Sequence, residues 1–206
     1  MTPPIDPRDP AAVRTLSWGH CFVYVAPCAY EDHLKLGFSR DPLDRLQALH
    51  RRYFEVFDLV RAFLIEAETV RDARALELAL ARSITLHSAP APLTVRREAA
   101  GHGEWYRGAY AQLAEAARTL QAQGYVLHDP MRPWLRAALL ARRDLLYSWS
   151  QAMLTPQELD APALTTPTQR VVRDALDAYV AFGIELQPAL PNDVLRWHRA
   201  VTDLYY

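Results

Sequence analysis

The sequence predicts an α+β fold: a small, three-stranded, mainly antiparallel sheet flanked by helices, followed by a helical C-terminal extension. Three observations lead there. Residues 21–26, Cys-Phe-Val-Tyr-Val-Ala, and 34–38, Leu-Lys-Leu-Gly-Phe, are short apolar runs separated by a polar turn around Glu31 and Asp32, the pattern of a hairpin. Leucines then recur at helical spacing from Leu43. Beyond Asp129-Pro130 no further strand-like run occurs, and helical patterns alternate with prolines.

The first run reads as a buried strand that stops at Pro27, and the second as its hairpin partner. Asp41 is placed to cap a helix whose first position is Pro42, and Leu43, Leu46, Leu49 and Tyr53 carry that helix to about residue 54. Residues 58–65, rich in Leu, Val, Phe and Ile, read as the third strand. Residues 69–87 read as a long helix capped by Thr69, with Asp72 in the place usually held by glutamate. The prolines and glycines of residues 88–103 imply a long loop. Trp105 and Tyr106 end that loop as core-closing aromatics, and Glu104 is placed to hold a basic residue. A helix over 109–123 ends at Gly124.

The chain thus divides into a proline-rich flexible tail at 1–17, an α/β domain at 18–129 and a helical region at 130–206. That last region reads as one helix over 133–153, a linker over 155–167, and helices over 168–181 and 192–205. Its arginines, among them Arg132, Arg136, Arg142 and Arg143, are balanced by Asp174, Asp177, Glu185 and Asp193, so a dedicated DNA-binding role is not indicated there. Trp134, Leu135, Leu139, Leu140 and Leu146 form an apolar face suited to packing, to a protein partner or to a homodimer.

Composition narrows the function classes. The 206 residues are half apolar with a formal charge of −1, so no global positive field attracts a polyanion, and nucleic-acid contact must come from a local patch. Two cysteines, Cys21 and Cys28, are too few for a disulfide framework or an all-cysteine zinc site and read as small buried groups. No run approaches the roughly 20 apolar residues of a membrane span, and no signal-like segment opens the chain. The expectation is a cytoplasmic protein.

Five pieces in order carry a resemblance: Phe22-Val23-Tyr24; Lys35-Leu36-Gly37-Phe38-Ser39; Asp41-Pro42-Leu43-Asp44-Arg45-Leu46; Ala75-Leu76-Glu77-Leu78; and Gly103-Glu104-Trp105-Tyr106. Together they resemble the GIY-YIG nucleases, specifically a phage and bacterial branch with lysine in the second motif. The first motif departs from the family name at Phe22-Val23 and the second at Lys35-Leu36, while the first-motif tyrosine survives as Tyr24. The resemblance covers about half the chain and stops near residue 130. It implies a metal-dependent endonuclease acting on nucleic acid, DNA before RNA, with Mg²⁺ or Mn²⁺ at a single site.

Each residue type suits phosphodiester hydrolysis, in which an anionic centre is neutralised and a water is made nucleophilic. Glu77 offers a hard oxygen ligand, and it falls within the buried stripe marked by Ala73, Leu76, Leu80 and Ile84, where a carboxylate is costly unless paired or metal-bound. A salt bridge to Arg74 or Arg45 is the plain alternative. Arg45 presents a planar, permanently charged fork at the start of a helix, a ready phosphate clamp, or else an ordinary helix residue paired with Asp41 or Asp44. Tyr24 resembles the family's candidate general base and needs help to lose a proton from its ordinary pKa near ~10. Taken alone it is a core residue.

Strand alternation puts Lys35 opposite Leu34 and Leu36, and Tyr24 opposite Val23 and Val25, so both can face one cleft, with Lys35, the only lysine in the sequence, as electrostatic helper. Gly37, Ser39, Arg40 and His50 are the candidate substrate contacts around them. His102, between two glycines, is a weak candidate. A second function class fits the same residues: a catalytically silent module of this fold that binds nucleic acid or protein.

Overall fold

Strand β1 (Cys21–Pro27) is the centre of the protein's first half, buried on both faces along its whole length. The computed structural model describes residues 20–95, 104–161 and 163–205, so the N-terminal tail, His102 and the second half of the loop expected before Glu104 lie outside the described residues. β1 pairs antiparallel with β2 (Leu34–Ser39) on one side and with β3 (Phe63–Ala67) on the other. The expected hairpin and third strand are therefore present.

The sheet is larger than the three strands expected. Three two-residue strands extend it: β4 (Ser88–Ala89), β5 (Trp105–Tyr106) and β6 (Leu127–His128), giving the order β4-β5-β2-β1-β3-β6 with every pairing antiparallel. Two residues cannot display a period-two pattern, which is why these strands are invisible in a sequence reading. β3 begins five residues later than expected because Asp58 Oδ1 accepts from the amides of Val60 and Arg61 and folds that stretch into a turn.

The helices follow their caps. In α1 (Pro42–Leu49) the Asp41 side chain accepts from the Asp44 amide and Pro42 opens the first turn. The helix stops at His50, four residues short of the expected end, where His50 Nδ1 accepts from the Arg52 amide, and α2 (Tyr53–Val56) follows as a separate turn. In α3 (Val70–Ser83) Thr69 Oγ1 accepts from the Asp72 amide and donates to the Asp72 carboxylate at 2.6 Å, so the aspartate engages the cap through the threonine hydroxyl. A 3₁₀ turn over Thr85–His87 finishes it. α4 (Tyr110–Ala122) ends where Gly124 adopts a φ of 101°, a left-handed conformation that favours glycine.

One sheet face, built by Val23, Val25, Leu34, Leu36, Phe63 and Ile65, packs against Ala73 and Leu80 of α3 and Leu113 and Ala117 of α4. Strand pairing puts Tyr24, Gly37 and Leu64 together on the opposite face, with Lys35 beside Trp105. Phe57 stacks on Trp105 with ring centroids 6.4 Å apart. Cys21 and Cys28 are free and buried. Burial, then the Glu31 charge, pushes the Cys28 thiol up to about 12, so it behaves as a small core group.

The remaining residues form a second compact unit, the division falling between Leu135 and Arg136 within α5 (Arg132–Ala141). The single helix expected over 133–153 is broken by a 3₁₀ turn at Arg143–Leu145 into α5 and α6 (Leu146–Met153). The expected linker contains α7 (Pro156–Asp160), which carries a reciprocal Thr155–Glu158 cap. α8 (Pro167–Ala181) and α9 (Asn192–Tyr205) follow. Buried Gln169 ties the turn before α8 together: its Oε1 accepts from the amides of Thr165 and Thr166, and its Nε2 donates to the carbonyls of Glu158 and Ala161. His198 Nε2 lies 2.8 Å from Asp177 Oδ1, and Trp197 is buried. Among the described residues no helix is long and apolar enough to cross a membrane.

Candidate active site

Tyr24 projects from the middle of β1 across its partner Gly37, and α1 closes over it: Arg45 Nε donates to the Tyr24 hydroxyl at 3.2 Å. The glycine is required by this crossing. A Cβ on residue 37 would stand 2.5 Å from the Tyr24 hydroxyl oxygen and 2.7 Å from Cζ, closer than side chains tolerate. Tyr24 is only 1% exposed, and burial pushes its phenol up to about 12, against the lowering influence of the Arg45 charge and hydrogen bond. Among the described residues no hydrogen bond engages the Arg45 Nη groups, which leaves the outer fork for an anion.

Lys35 is 0% exposed. Its Nζ donates to Glu104 Oε2 at 2.6 Å and sits 5.5 Å from the Trp105 ring centroid. Burial lowers its pKa, and the Glu104 ion pair opposes that shift. Glu104 is itself anchored to the sheet edge, its carbonyl accepting from the Leu36 amide at 3.2 Å, while its side chain stays 42% exposed. The expectation that Glu104 holds a basic residue is met by the one lysine of the chain.

Glu77 lies in the buried stripe of α3 between Ala73 and Leu80 and is 7% exposed. Among the described residues no hydrogen bond or ion pair reaches its carboxylate, so neither Arg74 nor Arg45 neutralises it by contact. Burial raises its pKa first and the Glu104 charge second, with Lys35 and Arg74 pulling the other way. The same two carboxylates, after burial, raise the Tyr106 phenol. The Glu77 and Glu104 charges thus bear on Tyr24, Lys35 and Tyr106, and the one direct contact that joins any of these five, among the described residues, is the Lys35–Glu104 ion pair.

The surrounding candidates are distributed differently. Gly37 is buried beneath the Tyr24 ring. Ser39 Oγ donates to the Asp41 carbonyl at 2.8 Å and accepts from the Asp41 amide, fixing the turn into α1. His50 closes α1 as described. Arg40 is exposed at the end of β2.

Sequence reasoning passed over a further pair on the Tyr24 face. His128 of β6 faces Leu64, which faces Tyr24, and His128 Nε2 lies 2.7 Å from Glu66 Oε1. Only the tertiary pairing of a two-residue strand brings them together.

The donor set suits a magnesium-like ion better than zinc. Among the described residues there is no group of three His, Cys, Asp or Glu side chains arranged to hold a metal. What the region does offer is hard carboxylate oxygen on Glu77, buried and unpartnered, and Mg²⁺ characteristically takes one or two carboxylates and completes its shell with water and phosphate.

Residues 21–121 match the family described as the T5orf172 domain, a domain found in phage and bacterial nuclease-like proteins and loosely related to the GIY-YIG and HNH endonucleases alike. The match is compatible with a nuclease or nucleic-acid-binding role and contains all of Tyr24, Lys35, Arg45, Glu77 and Glu104. No curated protein and no solved structure matches the chain.

Proposed function

We propose that residues 18–129 form an endonuclease unit that hydrolyses nucleic-acid phosphodiesters, DNA before RNA, with a GIY-YIG-type site served by Mg²⁺ or Mn²⁺. The observation that carries the reading is Glu77: a carboxylate on the buried face of α3 with no protein partner among the described residues, within electrostatic reach of Tyr24 and Lys35. Leaving such a group uncompensated is costly, and a divalent cation is the compensation that also serves the chemistry. The T5orf172 match supports the same class.

Within this reading Arg45 has two tasks. Its Nε orients the Tyr24 hydroxyl, and its remaining donors receive a phosphate oxygen in a planar, bidentate manner that lysine cannot reproduce. Tyr24 is the general base, taking a proton from the attacking water as a phenolate. A divalent ion, when bound at Glu77, would supply Lewis-acid character and positive charge that favours ionised forms nearby. Lys35 contributes positive charge from below the site, Gly37 admits the Tyr24 ring, Ser39 and His50 set the two ends of α1, and exposed Arg40 meets the nucleic-acid backbone.

Cleavage of plasmid and single-stranded DNA with Mg²⁺ or Mn²⁺, comparing wild type with Glu77→Gln, tests the assignment. Loss of cleavage in the variant is expected; undiminished cleavage removes Glu77 from the mechanism. A second reading, a silent nucleic-acid- or protein-binding module, draws on the strongly raised Tyr24 phenol, which holds its proton at neutral pH. Nucleic-acid binding without cleavage under either metal selects it.

A further inference from the structure

The sheet face that carries Tyr24 continues beyond the Tyr24–Arg45 contact. Strand alternation puts Phe22 on that face beside Tyr24, and the register sets Glu66 and Leu64 of β3 next to them, with His128 of β6 beyond Leu64. The Phe22 ring is packed by two others: His128 is tilted against it with centroids 6.1 Å apart, and Trp134 meets it edge-on at 5.0 Å. Phe22 is buried, whereas His128 and Trp134 are each partly exposed.

Chemistry separates this patch from the phosphate clamp. His128 Nε2 lies 2.7 Å from Glu66 Oε1. A carboxylate only accepts, so Nε2 carries the proton and Nδ1 of the neutral ring is left as an acceptor. Neither that Nδ1 nor the Trp134 indole N–H has a partner among the described residues, and neither is buried. Phosphate oxygens only accept, and the Glu66 charge beside His128 repels them. A flat heterocycle with N–H donors and ring acceptors answers both open atoms and stacks on the exposed rings. The position fits as well. The Tyr24 hydroxyl lies over Gly37 of β2, and β6 is three strands further across the sheet, roughly 14 Å at ~4.8 Å per strand. That separation excludes proton transfer between His128 and a phosphate at Arg45, and suits a nearby nucleotide of the same strand. His128 and Trp134 also lie beyond the family match, which ends at residue 121.

Resting on the nuclease reading, we infer that His128 and Trp134 form a nucleobase-binding subsite that holds an unpaired base near the scissile phosphate, with Glu66 as the positioning residue that fixes the His128 tautomer.

The test is fluorescence anisotropy with the full-length protein in EDTA, comparing a single-stranded DNA oligonucleotide with a wholly abasic oligomer of the same length and charge. Circular dichroism confirms the fold of each variant. Wild type is expected to bind the base-bearing strand about tenfold more tightly or better, and Trp134→Leu and His128→Leu each to lose about tenfold on that strand and nothing on the abasic one. Should Trp134→Leu fail to fold, His128→Leu decides the case. Equal wild-type affinity for the two strands overturns the inference, as does a His128→Leu loss that is absent or equal on both. The Glu66 role is read in the ¹⁵N spectrum of the neutral His128 imidazole. Its proton is expected on Nε2 in wild type and shared between the ring nitrogens in Glu66→Gln, whose amide both donates and accepts; the same tautomer in both overturns that role. Cleavage with Mg²⁺ or Mn²⁺ is scored separately. Base-dependent binding without cleavage overturns the nuclease reading and keeps the base contact, cleavage without base dependence overturns the subsite alone, and a wild type that neither binds nor cleaves overturns both.

Discussion

The Tyr24 hydroxyl lies directly over Gly37, in the space a Cβ would occupy. Tyr24 reaches Arg45 only because residue 37 has no side chain, so the candidate base, the candidate phosphate clamp and one glycine are a single packing unit.

Gly37→Ala should therefore be expensive for its size. The Tyr24 ring is fully packed and cannot retreat freely, so about 1–3 kcal/mol of overpacking is expected, with cleavage falling alongside as the Arg45 bond is lost. Urea denaturation and a cleavage assay check both. Wild-type stability would show that the ring moves without cost.

Tyr24→Phe separates chemistry from packing. Deleting one hydroxyl removes an acceptor worth about 1 kcal/mol but should lower the cleavage rate on the order of 100-fold or more if the phenolate is the base. Because burial raises the phenol to about 12, the ionised fraction grows as pH rises, and wild-type cleavage should keep climbing through the alkaline range. A rate already level at neutral pH would assign the base elsewhere.

Arg45→Lys should retain the fold and lose on the order of 100-fold in cleavage, the scale of removing one well-placed transition-state donor. A single ammonium cannot both donate to Tyr24 and present a fork to phosphate. Cleavage within a few-fold of wild type would leave positive charge alone as the requirement.

Glu77→Gln should make the metal-free protein more stable at neutral pH. Its carboxyl is raised above the ordinary value in the folded state, burial first, so the folded state binds the proton more tightly. The sign is then fixed: the ionised form costs stability as pH climbs from the ordinary glutamate range, and nothing below it. The melting-temperature advantage of the variant should accordingly vanish in acid and grow toward neutrality. An unchanged or lower melting temperature at pH 7 would mean that the carboxylate is compensated by the fold.

Gln169→Leu addresses the second unit. It strips the four backbone bonds that secure the turn before α8 and should cost about 1–3 kcal/mol or more, yet cleavage should persist, because the proposed chemistry belongs to residues 18–129. Loss of cleavage in a folded variant would give residues 136–206 a share in it.

Much of the local structure around the candidate site can be read along the chain because it rests on local rules. Alternation set Tyr24 and Lys35 against their leucine and valine neighbours, Asp41-Pro42 and Thr69…Asp72 marked two helix starts, and the stripe from Ala73 to Leu80 enclosed Glu77. What stayed hidden depends on distant partners. The burial of Lys35 comes from Trp105 and Glu104, some 70 residues on, and β4, β5 and β6 exist only as two-residue attachments to strands already formed. The halt of α1 at His50 is a side-chain cap that competes with an otherwise continuous helical pattern.

The one lysine of this chain is sealed inside it. Its side chains consequently present no primary amine to the surrounding water, and acylating dyes or amine-directed crosslinkers should leave the folded Lys35 unmodified. Acquisition of a label at that nitrogen would report, residue-specifically, the moment at which the Trp105 cover lifts.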